Sequence, residues 1–505
     1  MNWQNYPLIR LVIPFTLGMV GANLFICHMD RTVLFILCCA VLALLFFFIP
    51  QQEGTYKDYK FGVIAMIFAF LVGMTLYTGK HHSITQSIPQ DSTFCKGILT
   101  EMPVEKARSW ALHLEQENGT HILLYVGSPI TPKAEAGRGL GLSLGDTILA
   151  RIIHLNPTDH TEDETFRPFY NYLFSNGICA TCYAPRGQWT VRPRQGKPSL
   201  LQQAKSIQEK MHRIYDDRGI NGEAGSIVEA MTLGRKADLS PATRQAYATS
   251  GVSHVLALSG FHVGIIVLML HVLFLHRLFP LRWRWVSNLL VIIALWSYAL
   301  ITGMSPSLVR ATLMFTILLL CQSFSQDTLS IDSCALTFFI MLCINPFYLQ
   351  NIGFQLSFVS VGSIALYGSP LLKHYMPSHF IPRILWGILI ITLLCSLFTA
   401  PLVAHHFGCL PLLSLVSNLA IFLFVYLVMY GSLLWWLFLW CDPINAFFTD
   451  LLNWTADTMN NITHTIAALP YASIEWHPNA LTTLLCYIPL LIIGYIITHF
   501  NKEHL

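Results

Sequence analysis

Charge is what this sequence has least of. Asp, Glu, Lys and Arg make up 11% of its 505 residues, while 54% are hydrophobic. Ordinary soluble domains carry about 25% charged residues. A soluble chain of 57.0 kDa would need charge to cover its surface, so the composition excludes an ordinary soluble enzyme. The formal net charge is only +3, and no acidic or basic tail is present, so bulk charge names no partner. Sequence motifs are missing as well. No Gly-x-x-x-x-Gly-Lys-[Ser/Thr] occurs, which excludes a P-loop ATPase on this chain. There is no His-Glu-x-x-His and no His-x-His pair of the kind metal hydrolases use. No metal or cofactor is expected.

What the chain does have is long apolar runs. A span needs roughly 20 mostly apolar residues to cross about 30 Å of hydrocarbon. Leu8 to Cys27, Thr32 to Pro50 and Phe61 to Thr78 qualify. So do Val255 to Leu275, Val286 to Ile301, Leu308 to Phe324, Leu336 to Leu349, Ile384 to Val403, Leu412 to Cys441 and Leu481 to Thr498. Phe354 to Tyr367 is shorter and mixes Gln355, Ser357 and Ser360 into its apolar residues, as a broken or bundle-facing helix would. The expectation is a polytopic α-helical membrane protein of about ten spans. The first run exceeds the apolar core of a cleavable signal peptide, and two more follow at once.

Four segments emerge. Residues 1–80 hold the N-terminal spans, and residues 81–198 are polar and turn-rich. Residues 199–250 form an amphipathic helix and a re-entry segment, and 251–505 are membrane again. In the second segment, β-branched or alternating runs at Phe94–Leu99, Ala111–Leu114, His121–Val126, Thr147–Ile153 and Gly177–Tyr183 alternate with Gly, Pro and Asp breaks. Five or six short strands in about 100 residues suit a small all-β barrel. Leu200, Ala204, Ile207, Met211 and Ile214 then form one apolar helical stripe. The surrounding stretch from Arg186 to Arg218, with Arg194 and Lys197, is locally basic. It suits anionic headgroups or a phosphate-facing surface. Arg277, Arg282 and Arg284, then the loop Lys373 to Arg383, mark cytoplasmic loops. That places the β domain outside the cytoplasm. Of 13 cysteines, only Cys95, Cys179 and Cys182 fall in that domain. An oxidising compartment permits one disulfide there, Cys95 with Cys179 or with Cys182.

The chemistry-bearing residues cluster in apolar surroundings. Gly251-Val252-Ser253-His254-Val255-Leu256-Ala257-Leu258-Ser259-Gly260-Phe261-His262 opens a membrane helix with two His on one face beside Ser259. Intramembrane ionisable residues are costly and tend to mark pathways. Two neutral His hydrogen-bonded between helices would instead support packing, and Ser259 with His262 at i, i+3 has the spacing of a nucleophile and its base. In Gly303-Met304-Ser305-Pro306-Ser307-Leu308-Val309-Arg310, Pro306 suits a first helical position and Ser305 an N-cap. Arg310 one turn later either snorkels to headgroups or faces a watery path and binds phosphate. Gln355 and Ser357 in Asn351-Ile352-Gly353-Phe354-Gln355-Leu356-Ser357-Phe358 need polar partners within an apolar helix. Pro401 through Gly408, with His405 and His406, reads as a helix break beside a cavity or as a loop.

These motifs, with the run-up Met231-Thr232-Leu233-Gly234-Arg235, resemble the signature of the ComEC competence proteins in order and rough spacing. The motif-bearing region covers about residues 220–430. The resemblance implies that the β domain is OB-like. In such folds single strands lie in a basic groove with stacked aromatics, and Phe94, Tyr125, Tyr183 and Trp189 are the candidates here. It implies a channel passing single-stranded DNA across the bacterial cytoplasmic membrane during natural transformation. His254, Ser259, His262, Ser305, Arg310, Gln355 and Ser357 would line or gate the path, with no catalysis on the chain. Long members end in a metallo-β-lactamase-like domain, whereas this sequence stops at Leu505 after its last span. A separate nuclease, a DNA receptor and a cytoplasmic ATPase or helicase are therefore expected partners, beside membrane lipids and a second copy of the chain. An intramembrane Ser/His enzyme and a small-molecule or lipid transporter are the competing readings.

Overall fold

The computed structural model describes residues 7–25, 31–47, 55–85, 94–106, 109–127, 142–158, 167–193, 200–271, 284–323, 330–368, 371–372 and 377–503. Cys27, Arg194, Lys197, Arg277, Arg282 and Lys373, which carried parts of the sequence reading, lie outside these residues. The chain divides into two compact units, Met1–Gln202 with Phe338–Asn351, and Gln203–Thr337 with Ile352–Leu505.

The first unit opens with three helices, α1 (Pro7–Phe25), α2 (Arg31–Phe47) and α3 (Thr55–Thr85). Gly18 and Gly73 let α1 and α3 touch backbone to backbone. A Cβ on Gly18 would sit 2.0 Å from the Phe70 carbonyl oxygen, and one on Gly73 would sit 2.1 Å from that of Phe15. Small residues at such crossings are how apolar helices associate where lipid removes the hydrophobic drive.

The β domain follows: β1 (Phe94–Leu99), β2 (Val104–Glu105), β3 (Ser109–Glu115), β4 (His121–Gly127), β5 (Thr147–Arg151), β6 (His154–Pro157), α4 (Arg167–Ser175), β7 (Ile178–Ala184) and β8 (Trp189–Arg192). β1 pairs antiparallel with β3 and with β5, and β3 with β4. β4 runs parallel to β7, and β7 pairs antiparallel with β6. β5 and β6 are two stretches of one path broken at Ile152-Ile153, where Ile153 N–H donates to the Tyr183 carbonyl at 3.0 Å. The sheet order is β6, β7, β4, β3, β1, β5, β8, with β2 on β3, and β5 and β6 at its two sides are consecutive along the chain. The core of the sheet is the alternate residues Leu99, Leu112, Leu114, Ile122, Leu124 and Ile148, all fully buried. The Leu144-Gly145-Asp146 turn enters β5 with Gly145 at φ 93°, and Asp146 Oδ2 accepts from Ser143 N–H at 2.7 Å.

The second unit begins with the amphipathic α5 (Leu200–Asp217), then α6 (Gly222–Thr232) and α7 (Pro241–Thr249). Then come α8 (Gly260–Leu270), α9 (Arg284–Ile301), α10 (Pro306–Ser323), α11 (Ser330–Ile344), α12 (Ile352–Ser363, continued by a π turn at Ile364–Gly368), α13 (Phe380–Phe407), β9 (Cys409–Pro411), α14 (Ser414–Leu437), α15 (Asp442–Ala467), β10 (Ser473–Glu475) and α16 (Ala480–Glu503). Five of these close a ring through successive neighbours: α8 on α10, α10 on α12, α12 on α13, α13 on α14, and α14 back on α8. α9 packs on α8 and α10, α16 on α13, and α6 and α15 on α14.

Among the described residues, four helices qualify as membrane spans by length and composition, Lys60–Thr85, Pro306–Ser323, Phe380–Phe407 and Ser414–Leu437, fewer than the ten or so apolar runs suggested. Six shorter apolar helices accompany them, among them Leu8–Leu24, Trp285–Ile301 and Ala480–Gly494. The fold is mostly helical and of membrane type.

Candidate functional site

The chain reaches the ring through α7. Ser240 caps that helix, its Oγ accepting from Thr243 N–H at 3.1 Å, and Pro241 fills the first turn. Gly251 then takes φ 79°. A Cβ there would lie 2.6 Å from Ser414 Cβ and 2.9 Å from Pro411 Cβ, so only glycine lets this turn press against the start of α14. His254 is exposed in the turn, six residues before α8 begins at Gly260, so the two His do not share one helix face as their spacing suggested. Ser259 then starts α8, and its Oγ lies 3.0 Å from His262 Nδ1, which also takes the Ser259 N–H at 3.4 Å. Ser259 and His262 thus meet, as their spacing foretold, in a capping box at the helix start. His262 is fully buried, and its Nε2 has no hydrogen-bond partner among the described residues. Among the described residues no carboxylate orients this ring, so the pair lacks there the third member of a nucleophile–base arrangement.

Around the ring, polar side chains tie neighbouring helix ends. Gly260 backs onto Ala311, joining α8 to α10. Gly303 and Met304 both take positive φ, 86° and 54°, which turns the chain sharply before Ser305 and Pro306 open α10. Arg310, only 3% exposed, donates from Nη2 to the Gly353 carbonyl at 2.8 Å, joining α10 to the first turn of α12. Gln355 Oε1 lies 3.2 Å from His406 Nε2, joining α12 to the last turn of α13. Ser357, one residue pair further along α12, is half-buried. The first turns of α8, α10, α12 and α14 and the last turn of α13 therefore share one end of the ring. Each helix N-terminus carries about half a positive charge, so this end favours anions by four such termini against one negative end.

A second polar cluster sits on α5 and α6, beside a cavity of about 680 Å³ lined by His212, Asp216, Glu223, Glu229, Asp238 and His464 among others. Glu229 is buried, with His212 Nδ1 at 2.8 Å and Arg235 Nε at 3.3 Å. Arg235 also binds Glu209 at 2.6 Å and Asp238 at 3.1 Å. Burial raises the Glu229 carboxyl above the usual range, and the His212 hydrogen bond opposes that rise. Among the described residues, His212, Asp216 and Glu229 bring possible metal-ligating atoms within 4.8 Å of one another. The Arg235 guanidinium already neutralises the same carboxylate, so the group reads as an ion-pair network. Sequence reasoning missed it. Arg235 had been noted in the 231–235 run, but nothing in the sequence joins it to Glu209 and Glu229.

On the β domain, Phe94 is 62% exposed and faces Arg151 across the β1–β5 pair, while Trp189 faces Ala150 from β8. Tyr125 and Tyr183 are register partners; Tyr183 is open to solvent, and Tyr125 is partly buried against Leu173 and Ile178. Cys95, Cys179 and Cys182 are all free, buried thiols here, so the expected disulfide is not formed; the Cys182 thiol beside Cys95 lowers the Cys95 pKa. Cys179 donates instead to the His121 carbonyl at 3.3 Å.

Comparison with known proteins places these features. The family profile described as Competence protein matches residues 231–500. ComE operon protein 3 of Bacillus subtilis (strain 168) is 27% identical over 375 residues, covering 72% of this chain and 44% of that protein. The chain thus spans less than half the length of that relative. No solved structure matches. The profile covers more than half of the chain, including the α8, α10, α12 and α13 motifs and the ring they close, and on that ground the chain belongs to the ComEC competence-protein family.

Proposed function

We propose that the five-helix ring is a path for single-stranded DNA across the bacterial cytoplasmic membrane during natural transformation. The observation that carries this reading is the ring itself, closed neighbour to neighbour, with the family motifs gathered at one end. Four helix N-termini at that end suit a polyanion, because their dipoles favour the phosphate backbone without reading its sequence. In this reading the motif end faces outward, away from the cytoplasm. His254, Ser305, Arg310, Gln355 and Ser357 frame the mouth there, and Ser259 and His262 hold the start of α8.

The β domain reads as an OB-like barrel. Its strand order, with a three-strand meander and a parallel pairing of the third strand to the last, supports that assignment. It would receive the strand on Phe94, Tyr183 and Trp189. Helicase, nuclease and receptor functions work with it, and the channel works in lipid as one or more copies of the chain.

The test is uptake of fluorescent DNA by a transformable host lacking its own counterpart. Wild type is expected to restore uptake. Gln355→Leu, which breaks the seam to His406, is expected to lower it at equal protein level. Uptake that is equal in all strains, with or without the protein, would refute the reading.

A further inference from the structure

The geometry points to a track of aromatic rings along α14, continued by Phe261 of α8, on which the bases of a passing single strand stack. The inference rests on the channel reading above and adds the surface that would hold the bases.

Phe422, Tyr426 and Tyr430 recur every fourth residue on α14, so they rise by about 6 Å per ring along one stripe. Their rings form a connected series. Phe422 and Tyr426 lie 4.8 Å apart, and Tyr426 and Tyr430 lie 6.2 Å apart at 13° to each other. Phe261, at the start of α8, meets both Phe422 at 6.0 Å and Tyr426 at 5.5 Å.

The direction of the stripe is read from what α14 buries and from what meets the stripe. Ile421, Val425, Val428, Met429, Ser432 and Trp435 are among its buried residues, and α6 and α15 pack on this helix. Phe424 leans toward α15, onto Trp454 at 6.2 Å. The aromatic stripe runs along the helix beside that face, with Tyr426 and Tyr430 packing in part on the same core, and Leu423, 62% exposed, lies at its outer edge. Phe261 of α8 meets the stripe, and α8 and α13 are the two ring neighbours of α14. On that ground the stripe is assigned to the interior of the ring. The rings are only partly covered: Phe261 is 39% exposed, and Phe422, Tyr426 and Tyr430 are half-buried.

The chemistry suits one occupant. Every base has a π face, so stacking tolerates any sequence, which a general DNA path requires. A step of about 6 Å per ring is near twice the roughly 3.4 Å rise of a stacked strand, the spacing of a strand drawn out through a narrow passage. The phosphates at the mouth meet positive helix ends, and the bases beyond it meet aromatic faces.

The experiment uses the full chain in the transformable host, with protein levels matched. The triple variant Phe422→Leu, Tyr426→Leu, Tyr430→Leu keeps apolar volume and removes the rings. The pair Tyr426→Phe, Tyr430→Phe keeps the rings and removes only hydroxyls. The Leu variant is expected to lower DNA uptake by about tenfold or more, the Phe variant to match wild type. A single-stranded oligonucleotide carrying 5-iodouracil is expected to photo-crosslink to Phe261, Tyr426 or Tyr430 of the wild type. If the triple variant fails to accumulate, Tyr426→Leu alone carries the comparison. Uptake by the Leu variant equal to wild type would overturn the track while leaving the channel intact. Failure of wild type to restore any uptake would overturn the channel reading, and the track with it.

Discussion

Arg310 offers the sharpest perturbation, because its sequence context and its structural position lead to different outcomes. A phosphate ligand facing open water would cost nothing in stability when truncated. Here the side chain is 3% exposed, and its Nη2 donates to the Gly353 carbonyl at 2.8 Å, across the seam between α10 and α12. A hydrogen bond from a charged donor contributes about 1.5–3 kcal/mol. Arg310→Ala also removes the packed alkyl stem, adding a cavity penalty of order 1 kcal/mol. The expected loss is therefore about 2–4 kcal/mol, seen as a lower thermal midpoint of the purified protein in detergent. Arg310→Lys keeps the charge but gives up the planar fork, and is expected to fall between. DNA uptake is expected to decline in the same order. An Arg310→Ala protein as stable as wild type would refute the seam assignment and return Arg310 to the open path.

The Glu229 network gives a second test. Arg235→Ala strips a buried carboxylate of its guanidinium and is expected to cost about 3–5 kcal/mol, whereas Glu229→Gln is expected to cost less; chemical denaturation of the two variants measures both. The Glu229 carboxyl is raised in the fold, so the native state keeps a proton that the unfolded chain has lost. Stability then falls as pH rises from about 4.3 through the folded value. Glu229→Gln is expected to flatten that slope, and an unchanged pH profile would count against it. In the barrel, the contact between Cys95 and Cys182 favours that pair for a disulfide in an oxidising compartment. Non-reducing peptide mapping is expected to recover a Cys95–Cys182 linkage worth about 4 kcal/mol through loop closure, and a Cys95–Cys179 linkage would contradict the geometry.

Much of this was legible in the residues. The strands at Phe94–Leu99 and His121–Gly127 stand where the apolar runs put them: β1 buries alternate residues, while β4, paired on both sides, is buried on both faces. α5 occupies Leu200–Asp217, where the apolar stripe predicted it. The short β8 and the β6 stretch were not foreseen, since Trp189–Arg192 and His154–Pro157 are too brief and polar to show a period. α4 was missed for a related reason: its nine residues mix Arg, Asn and Ser with aromatics, and its partner Ile178 lies on the next strand.

At the site, spacing alone brought Ser259 to His262, but a contact between residues three apart carries no information about the third helix. Gln355 was expected to need a partner, and that partner, His406, lies 51 residues away. The aromatic stripe of α14 was hidden by the run itself. Phe422, Tyr426 and Tyr430 look like any apolar membrane helix until their ring contacts with one another and with Phe261 single them out.

The most direct measurement asks whether the ring encloses the path. Leu423, 62% exposed on the side of α14 proposed to face the ring interior, is replaced by cysteine and treated in living cells with a bulky, membrane-impermeant thiol reagent. The account expects Leu423→Cys to react and DNA uptake to stop, while treated wild type continues to take up DNA. A fully modified Leu423→Cys protein that still internalises DNA at the untreated rate would contradict it.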